Sequence, residues 1–430
     1  MKIALFTPTI QESAIARMAC LITRALVVQG HEVVIVRTEN ECLHSSTTHD
    51  FRAELIPWND ADKVSRLALD ADTLVYQMGN NYDFHHGCLE WLPRFPGIVC
   101  LHDCFLGRLF FDWAKLHRPQ ADATLRTWYG AEVAQRFFGY DNDDAFKVAR
   151  DAAPMTEWIC SMADGVISHR HKGVERILNS CPGPVHIVPL ACDAPRLMSN
   201  NKRSCSSDND KFRILTIGHI NLNQRVDSVI RAIGNSSLLR QRSIYRLVGC
   251  IQPETVHELS ALARNCRVDL VISGAVDDVT LAHAIDEADV ISCLCLPSLE
   301  VALAPAVEAM FYGKPTIVTD TGLYSELPDS CVKKIDPDNE INSLQSALEL
   351  LYKNLELRCD FGILGQEWAE SKFTPGNYAQ KLIDIVILSN KAKPIVAAAN
   401  YFTGVMDRWG ATENLLNLDN IVAPLRVFSE

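Results

Sequence analysis

Residues 2–37, KIALFTPTIQESAIARMACLITRALVVQGHEVVIVR, decide the fold of the first half of the chain. The two apolar runs at 2–9 and 31–37 have the length and composition of buried strands. Between them, residues 13–30 carry apolar side chains at helical spacing and finish at Gly30, a residue typical of helix ends. Because parallel strands need a crossover of this kind, the stretch predicts one β–α–β unit.

The same alternation continues along the first half of the chain. Further apolar runs with the composition of strands follow at 72–78, 96–103, 165–169 and 185–190. Residues 105–163 are rich in Ala, aromatic and charged residues, which indicates a largely helical segment. The polar stretch 193–211, DAPRLMSNNKRSCSSDNDK, is dominated by Ser, Asn, Asp and basic residues and predicts an interdomain linker.

After this stretch the alternation of strands and helices starts again. Strand-like runs occur at 212–219, 245–250, 268–274, 289–296 and 315–320, with helical patterns between them at 224–233, 253–266, 278–288 and 305–314. We therefore predict two doubly wound α/β domains, 1–192 and 212–375, followed by a helical segment at 376–430. Such sheets bind ligands at the carboxyl ends of their strands, so we expect both domains to present loops to a cleft between them.

The composition is that of an ordinary soluble globular protein. The 430 residues are 48% hydrophobic and 22% charged, and this length favours two domains. The formal net charge of -12 argues against general electrostatic binding of nucleic acid. Fifteen cysteines without a small-scaffold pattern, in a chain that opens without a signal peptide, indicate reduced thiols in a cytoplasm. No run of about 18 apolar residues occurs, so we expect any membrane contact to be peripheral.

The segment PSLEVALAPAVEAMFYGKPTIVTD, residues 297–320, places two glutamates beside a predicted helix start. Glu300 lies in the loop after a strand, and Glu308 lies in the helix that Pro305 opens. The free N–H groups of a helix start attract anions, and carboxylates accept hydrogen bonds from sugar or ribose hydroxyls. The alternative is that Glu308 only complements the helix dipole while Glu300 is a solvated loop residue.

The spacing of Glu300 and Glu308, with EAM next and GKPTIVTDTGLYSELPD downstream, resembles the donor-site signature of retaining glycosyltransferases of family 4. Three other segments are similar to parts of that family in the same order, and they lie at 76–103, 163–177 and 217–233. The resemblance covers residues 1 to about 390.

The resemblance implies a GT-B fold, with two Rossmann-like domains of which the C-terminal one binds the donor and the N-terminal one the acceptor. It implies that Glu308 binds the ribose of the nucleotide and that Glu300, a candidate catalytic residue, faces the sugar and its phosphates. The resemblance further implies that backbone amides of Ala302, Leu303 and Ala304 meet the diphosphate or the sugar.

The chain departs from the family pattern in both donor loops. Side chains at Val301, Ala302 and Leu303 replace the family's glycine–aromatic–glycine run, where backbone usually approaches the ligand. In the glycine turn at Gly218, the family's Arg and Lys are replaced by His219 and Gln224, which leaves Arg225 as the nearest cation. We predict that Arg225 and His219 neutralise the leaving diphosphate. The alternative is that Arg225 is a solvated residue at a helix start.

In the N-terminal domain, the resemblance places His102 against the transferred sugar, as the second candidate catalytic residue. Asp103 follows it on the acceptor side, and His85 resembles a histidine that shapes the acceptor pocket. A local basic group is open to two interpretations, a surface for an anionic acceptor or a membrane, or a solvated helix start, and it consists of His169, His171, Lys172 and Arg176.

The sequence predicts neither a metal nor a bound cofactor. The acidic run at 141–144 lies among helices and is interpreted as a solvated turn. Cys100, His102 and Cys104 have alternate spacing, but no second ligand pair follows at the distance of a zinc site. The glycine fingerprint of dinucleotide-binding proteins is absent.

These observations favour a cytoplasmic, metal-independent, retaining hexosyltransferase that uses a nucleotide-diphosphate sugar. Its acceptor would be a sugar or glycoconjugate, with polysaccharide synthesis as the setting suggested by family analogy. The alternative hypothesis is a binding or scaffold protein that kept the fold and lost the chemistry, suggested by the missing glycines and by Gln224. Binding of nucleotide diphosphates distinguishes the two.

Overall fold

The computed structural model of the protein describes residues 1–138, 152–171, 173–193, 211–295 and 303–410. The chain divides into two compact units, with Ala191–Asn377 as the second and the flanking parts as the first. It therefore passes from one unit to the other twice, after Leu190 and after Asn377. The predicted linker 193–211 falls almost entirely outside the described residues.

The first unit is built on a parallel sheet of seven strands in the order β3-β2-β1-β4-β5-β6-β7. The strands are β1 Lys2–Thr7, β2 Glu32–Arg37, β3 Glu54–Pro57, β4 Thr73–Met78, β5 Ile98–Leu101, β6 Gly165–Ser168 and β7 Val185–Ile187. The interior strand β1 pairs in parallel with β2 and β4, so that Leu5 lies beside Ile35 and Val75. This strand order is that of a doubly wound sheet.

Helices flank this sheet. They are α1 Ala14–Val28, α2 Ala61–Asp70, α3 Tyr82–Trp91, α4 Gly107–Ala114, α5 Arg118–Phe137, α6 Thr156–Cys160 and α7 Val174–Ser180, with a short 3₁₀ helix at Glu41–Leu43. Helix α1 begins where the hydroxyl of Ser13 accepts the Ala16 N–H at 3.2 Å, and it ends before Gly30, whose φ is +86°. Both ends agree with the sequence pattern.

The second unit contains a parallel sheet in the order β10-β9-β8-β11-β12-β13. Its strands are β8 Phe212–Ile217, β9 Ser243–Val248, β10 Leu270–Ile272, β11 Val290–Cys293, β12 Thr316–Thr319 and β13 Lys333–Ile335. Its helices are α8 Val226–Asn235, α9 Ser237–Arg242, α10 Pro253–Cys266, α11 Asp278–Glu287, α12 Ala304–Phe311, α13 Glu340–Lys353 and α14 Leu355–Lys372, with 3₁₀ helices at Leu222–Gln224 and Gly322–Glu326. Buried apolar side chains cover both faces of the sheet.

The long helix α15, Pro375–Arg408, returns the chain to the first unit. Its first turns bury Tyr378 and Leu382, while the hydroxyl of Ser389 donates to the Asp164 carbonyl at 2.8 Å. Lys393 pairs with the Asp164 carboxylate at 3.0 Å. The described part of the predicted C-terminal helical segment thus packs against the first unit from Tyr378 onward.

The prediction of two α/β units with parallel, doubly wound sheets is confirmed. The strands β3 and β13 were not predicted, because their sequences, ELIP and KKI, lack the longer apolar runs that identified the other two edge strands, β7 and β10. Two of the four residues of β3 are exposed, and Pro57 is tolerated there because an edge strand has no second neighbour to hydrogen-bond.

Candidate functional site

Polar side chains gather at the carboxyl edge of the first sheet. His102 and Asp103 follow β5, and His169 follows β6, which pairs with β5 in parallel. The carboxyl ends of parallel strands lie at one edge, which is where doubly wound sheets bind ligands. His102 and Asp103 therefore occupy the edge that the sequence predicted.

The imidazole of His102 is held by a glutamine on the neighbouring strand. Its Nε2 lies 2.6 Å from Oε1 of Gln77, which is fully buried in β4. Because a side-chain carbonyl oxygen only accepts, this contact requires a hydrogen on Nε2. Burial lowers the pKa of His102 well below its usual value, and Coulombic interactions with His169, His85 and Arg170 lower it further. His102 is therefore a neutral hydrogen-bonding group at neutral pH.

Asp103 and His85 meet around Gly79. The Oδ2 atom of Asp103 accepts the backbone N–H of Asn80 at 2.8 Å. A Cβ atom on Gly79 would lie 2.9 Å from Nε2 of His85 and 3.2 Å from Oδ2 of Asp103. The structure thus brings together the first-unit residues that the sequence proposed, and a side chain at position 79 would displace them.

His85 is a buried histidine with unused hydrogen-bonding capacity. It is 1% exposed, and among the described residues neither ring nitrogen has a hydrogen-bond partner. Burial lowers its pKa to about 4. A neutral, unpartnered imidazole can serve a sugar hydroxyl or a water molecule as donor or acceptor.

His169 differs from its predicted role in a basic surface group. Its Nδ1 lies 2.8 Å from the Val188 carbonyl, and its ring lies 4.8 Å from that of His102 and 5.8 Å from that of Tyr378. Burial lowers its pKa to about 4, so the ring is neutral at neutral pH. The basic-group interpretation is therefore wrong for His169, which belongs to the His102 site.

The other members of that group do not form the predicted basic surface either. Arg176 is already paired with the Glu157 carboxylate at 3.0 Å. Lys172 lies outside the described residues. These side chains had been grouped only because they lie close together in sequence, within positions 169–176.

Glu39 is a buried carboxylate at the same edge that the sequence analysis missed. Its side chain is fully buried just beyond β2, and Oε1 accepts hydrogen bonds from the backbone N–H groups of Thr9 and Ile10 and from the Thr9 hydroxyl. It thereby fixes the loop between β1 and α1, which contains Ser13. A charged residue two positions after a buried strand was the available signal.

In the second unit, Gly218 and His219 follow β8 and are exposed. Gly218 has a φ of +112°, which favours glycine. A Cβ atom on Gly249 would overlap the Gly218 carbonyl oxygen, so the ends of β8 and β9 approach closely here. Gln224, in the position of the family's lysine, donates from Nε2 to the Ile217 carbonyl at 3.3 Å.

Arg225 directly precedes helix α8 and is paired with a distant glutamate. Its Nε and Nη2 atoms lie 3.0 Å and 2.9 Å from Oε1 of Glu340. The remaining terminal nitrogen of Arg225, Nη1, lies 3.8 Å from Oδ1 of Asp227. The cation predicted to meet the diphosphate is thus close to two carboxylates, and Glu340 was not identified from sequence.

The glutamate segment is described only in part. Glu300 and Ala302 lie outside the described residues. Leu303 caps helix α12, and Ala304, its first residue, is exposed. Glu308 lies one turn into α12, half-buried beside the end of β11, where its charge adds to burial in raising the pKa of the Cys293 thiol. The N–H groups of the first turn are therefore at the carboxyl edge of this sheet.

The described residues show no grouping of three His, Cys, Asp or Glu side chains that would suit a metal ion. Burial raises the pKa of the Cys100 thiol to about 12, which disfavours the thiolate that zinc requires. The acidic run 141–144 lies outside the described ranges. None of the helices in those ranges combines the length and apolar composition of a membrane span.

Comparison with known proteins gives the class of fold. Residues 198–368, less than half of the chain, match the family model described as Glycosyl transferases group 1. No curated protein matches the chain in sequence.

Several solved structures are similar along most of the chain. A glycosyltransferase from Rickettsia africae ESF-5 has 12% identity and a TM-score of 0.59, covering 91% of this chain and 98% of that one. Anabaena Alr3699/HepE in complex with UDP has 14% identity and a TM-score of 0.56, covering 89% and 99%. Sucrose-phosphate synthase from Thermosynechococcus elongatus has 15% identity and a TM-score of 0.56, covering 93% and 100%.

At these identities the likeness establishes the fold alone. The protein has the two-domain GT-B fold of these glycosyltransferases, which confirms the predicted fold class.

Proposed function

We propose that the protein is a retaining glycosyltransferase of the family 4 type, which moves a hexose from a nucleotide-diphosphate sugar to a sugar or glycoconjugate acceptor. The observation that carries the proposal is the glycosyl transferases group 1 match across the second unit. One structural neighbour, Anabaena HepE, was solved in complex with UDP, and this supports a nucleotide donor by analogy.

The second unit binds the donor. The N–H groups at the start of α12, near Leu303 and Ala304, and those of Ala302 face the diphosphate, while Glu308 accepts hydrogen bonds from the ribose hydroxyls. Glu300 faces the sugar and its phosphates. The position of α12 at the carboxyl edge of its sheet supports these roles, since ligands of doubly wound sheets bind there.

The loop after β8 completes the donor site. Gly218 lets the backbone approach the phosphates, and His219 and Arg225 contribute hydrogen bonds and charge. The negative charge that develops on the leaving diphosphate is met by these groups and by the start of α12, so that no metal is needed.

The first unit positions the transferred sugar and the acceptor. His102, neutral and oriented by Gln77, contacts the sugar, and Asp103 and His85 line the acceptor side. Catalysis then comes mainly from positioning and from stabilising the leaving group, with the leaving phosphate assisting deprotonation of the acceptor. No separate nucleophile is assigned.

The decisive experiment is a donor screen. Purified protein is incubated with each common nucleotide sugar and a chelator, and release of nucleotide diphosphate is followed by mass spectrometry. We expect at least one donor to be turned over, and the anomeric configuration of the product to be retained. Activity that disappears with chelator and returns with manganese would contradict the metal-independent mechanism.

A non-catalytic GT-B binding protein is the second candidate, and one observation favours it. Arg225 is engaged by Glu340 and Gln224 by the Ile217 carbonyl, so neither side chain is poised for phosphate in this structure. Calorimetric titration with several nucleotide diphosphates distinguishes the two candidates by whether the protein binds any of them. No binding to any of them would favour the scaffold role.

We further propose that the enzyme acts in the cytoplasm, in polysaccharide or glycoconjugate synthesis, with at most peripheral contact with a membrane. Cell fractionation tests the location. We expect the protein in the cytosolic fraction or in a membrane fraction from which salt releases it, whereas release only by detergent would contradict the proposal.

A further inference from the structure

The ion pair between Arg225 and Glu340 joins two loops at the carboxyl edge of the second sheet. Arg225 follows β8 and Glu340 follows β13, and the two residues are 115 positions apart in the sequence. Glu340 also lies near the Cys295 thiol, just past the end of β11, where its charge adds to burial in raising the thiol's pKa. The pair thus occupies the region where the donor diphosphate is proposed to bind.

The contact has the form in which arginine binds phosphate. Nε and Nη2 approach Oε1 of Glu340 at 3.0 Å and 2.9 Å, and Nε is 3.3 Å from Oε2. A guanidinium presents the same pair of N–H donors to a carboxylate and to a phosphate. A diphosphate approaching this side of Arg225 would therefore meet a carboxylate already in place.

Both partners are held in position by the backbone. Arg225 has a φ of +52° and directly precedes α8, and Glu340 is the first residue of α13. A carboxylate at a helix start is favoured by the helix dipole. The Glu340 side chain is 9% exposed and that of Arg225 29% exposed, so the glutamate is the more enclosed partner.

We infer that Glu340 is an internal competitor of the donor diphosphate, which orients Arg225 and must give up part of its contact with the guanidinium when the diphosphate binds. This inference rests on the proposed donor site. It predicts an affinity for diphosphate below what Arg225 alone would allow, because the carboxylate neutralises the cation and also repels the incoming anion.

The test uses inorganic pyrophosphate and UDP as probes in calorimetric titrations of the full chain. Glu340→Gln keeps the size of the side chain and an oxygen that accepts from Arg225, but removes the charge. We expect it to tighten pyrophosphate and UDP binding about three- to ten-fold, while binding of uridine is unchanged. Arg225→Gln should weaken pyrophosphate binding about ten-fold.

Two further variants separate competition from general effects. Glu349→Gln removes a charge from the same helix, but Glu349 is engaged by Ser236, Gln345 and Lys353 instead of Arg225, so its pyrophosphate affinity should match the wild type. In the double variant of Arg225→Gln and Glu340→Gln, the gain from Glu340→Gln should be smaller than it is with Arg225 present, because only the relief of direct repulsion remains once the guanidinium is removed. Glu340→Asp keeps the negative charge on a shorter side chain. It is the second variant at this position, for use if Glu340→Gln does not fold.

The outcomes distinguish this inference from the proposed function. Unchanged or weaker pyrophosphate binding in Glu340→Gln, or no binding of pyrophosphate to any variant, overturns the competitor role. Tighter binding in Glu340→Gln with no donor turned over supports the competitor role and contradicts the enzymatic proposal. If the wild type turns over a donor and Glu340→Gln does not bind pyrophosphate more tightly, the enzymatic proposal is supported and the competitor role is contradicted.

Discussion

The side-chain oxygen of Gln77 lies 2.6 Å from Nε2 of His102, across two neighbouring strands of the first sheet. Gln77 is fully buried, so this hydrogen bond is shielded from competing water. It fixes the hydrogen on Nε2 and leaves Nδ1 as the acceptor in the neutral ring. A single amide on β4 therefore sets what His102 can offer to a ligand.

Replacing Gln77 by Leu should release the His102 ring. We expect donor turnover to fall about ten-fold, the scale of one hydrogen bond worth about 1.4 kcal/mol, with a smaller change in KM. Nitrogen NMR of labelled histidine should show a mixture of tautomers in the variant. Gln120→Leu, on the exposed surface of α5, is the control, and equal turnover in both variants would contradict the orienting role.

Stability should decrease as the pH is lowered from about 6.5 to about 4, because of His85 and His169. Both have pKa values of about 4 in the folded protein, below the ordinary value of 6.5. Within this window the unfolded chain binds protons that the folded chain does not. Each histidine therefore lowers the free energy of unfolding by about 1.4 kcal/mol for each pH unit of decrease. Above pH 6.5 their stabilising effect is fully present.

Urea unfolding followed by tryptophan fluorescence at several pH values measures this dependence. His85→Leu should reduce the slope by about one proton. Met78→Ala is the matched control, because Met78 is buried in β4 and does not titrate, so its cost should be similar at every pH. A His85→Leu variant with the wild-type slope would show that His85 is protonated in the folded state.

Removing the Glu39 carboxylate should destabilise the first unit. Glu39→Ala leaves the N–H groups of Thr9 and Ile10 without their acceptor, at a cost of about 3 kcal/mol. Glu39→Gln keeps an accepting oxygen and should cost about 1 kcal/mol. Urea unfolding measures both, with the exposed Glu54→Ala as control. Equal losses in the two Glu39 variants would mean that charge matters more than the accepted hydrogen bonds.

Placing a side chain at Gly249 should disturb the donor loop. Gly249 has a φ of +140°, and its added Cβ would overlap the Gly218 carbonyl, so Gly249→Ala must shift the end of β8. We expect a loss of at least about 2 kcal/mol of stability and clearly weaker UDP binding. Gly376→Ala is the control, since no atom lies within 4 Å of its added Cβ. If Gly249→Ala binds UDP with wild-type affinity, the loop at Gly218 is not part of the donor site.

The fold was predictable from sequence because its signals are local. Apolar runs such as residues 2–9 identify buried strands, and caps such as Ser13 and Gly30 mark the helix between them. The edge strands β3 and β13 were not predicted, because neither ELIP nor KKI belongs to a longer apolar run of the kind that identified the edge strands β7 and β10.

The candidate site was predictable only in part. Position after a central strand identified His102 and Asp103, and the resemblance identified Glu308 and the loop at Gly218. Gln77 was not found, since it lies inside a strand that was interpreted as core. His169 was found but given the wrong surroundings, because closeness in sequence does not show which side chains are buried.

The sequence by itself determined the order of strands and helices, since periodicity and capping depend on residues a few positions apart. Only the tertiary structure decided which polar groups meet. Gln77 reaches His102 through strand pairing, and Arg225 reaches Glu340 across 115 residues because parallel strands return their carboxyl ends to one edge. Whether a charge is buried, paired or free to bind depends on these distant neighbours, and no local pattern encodes them.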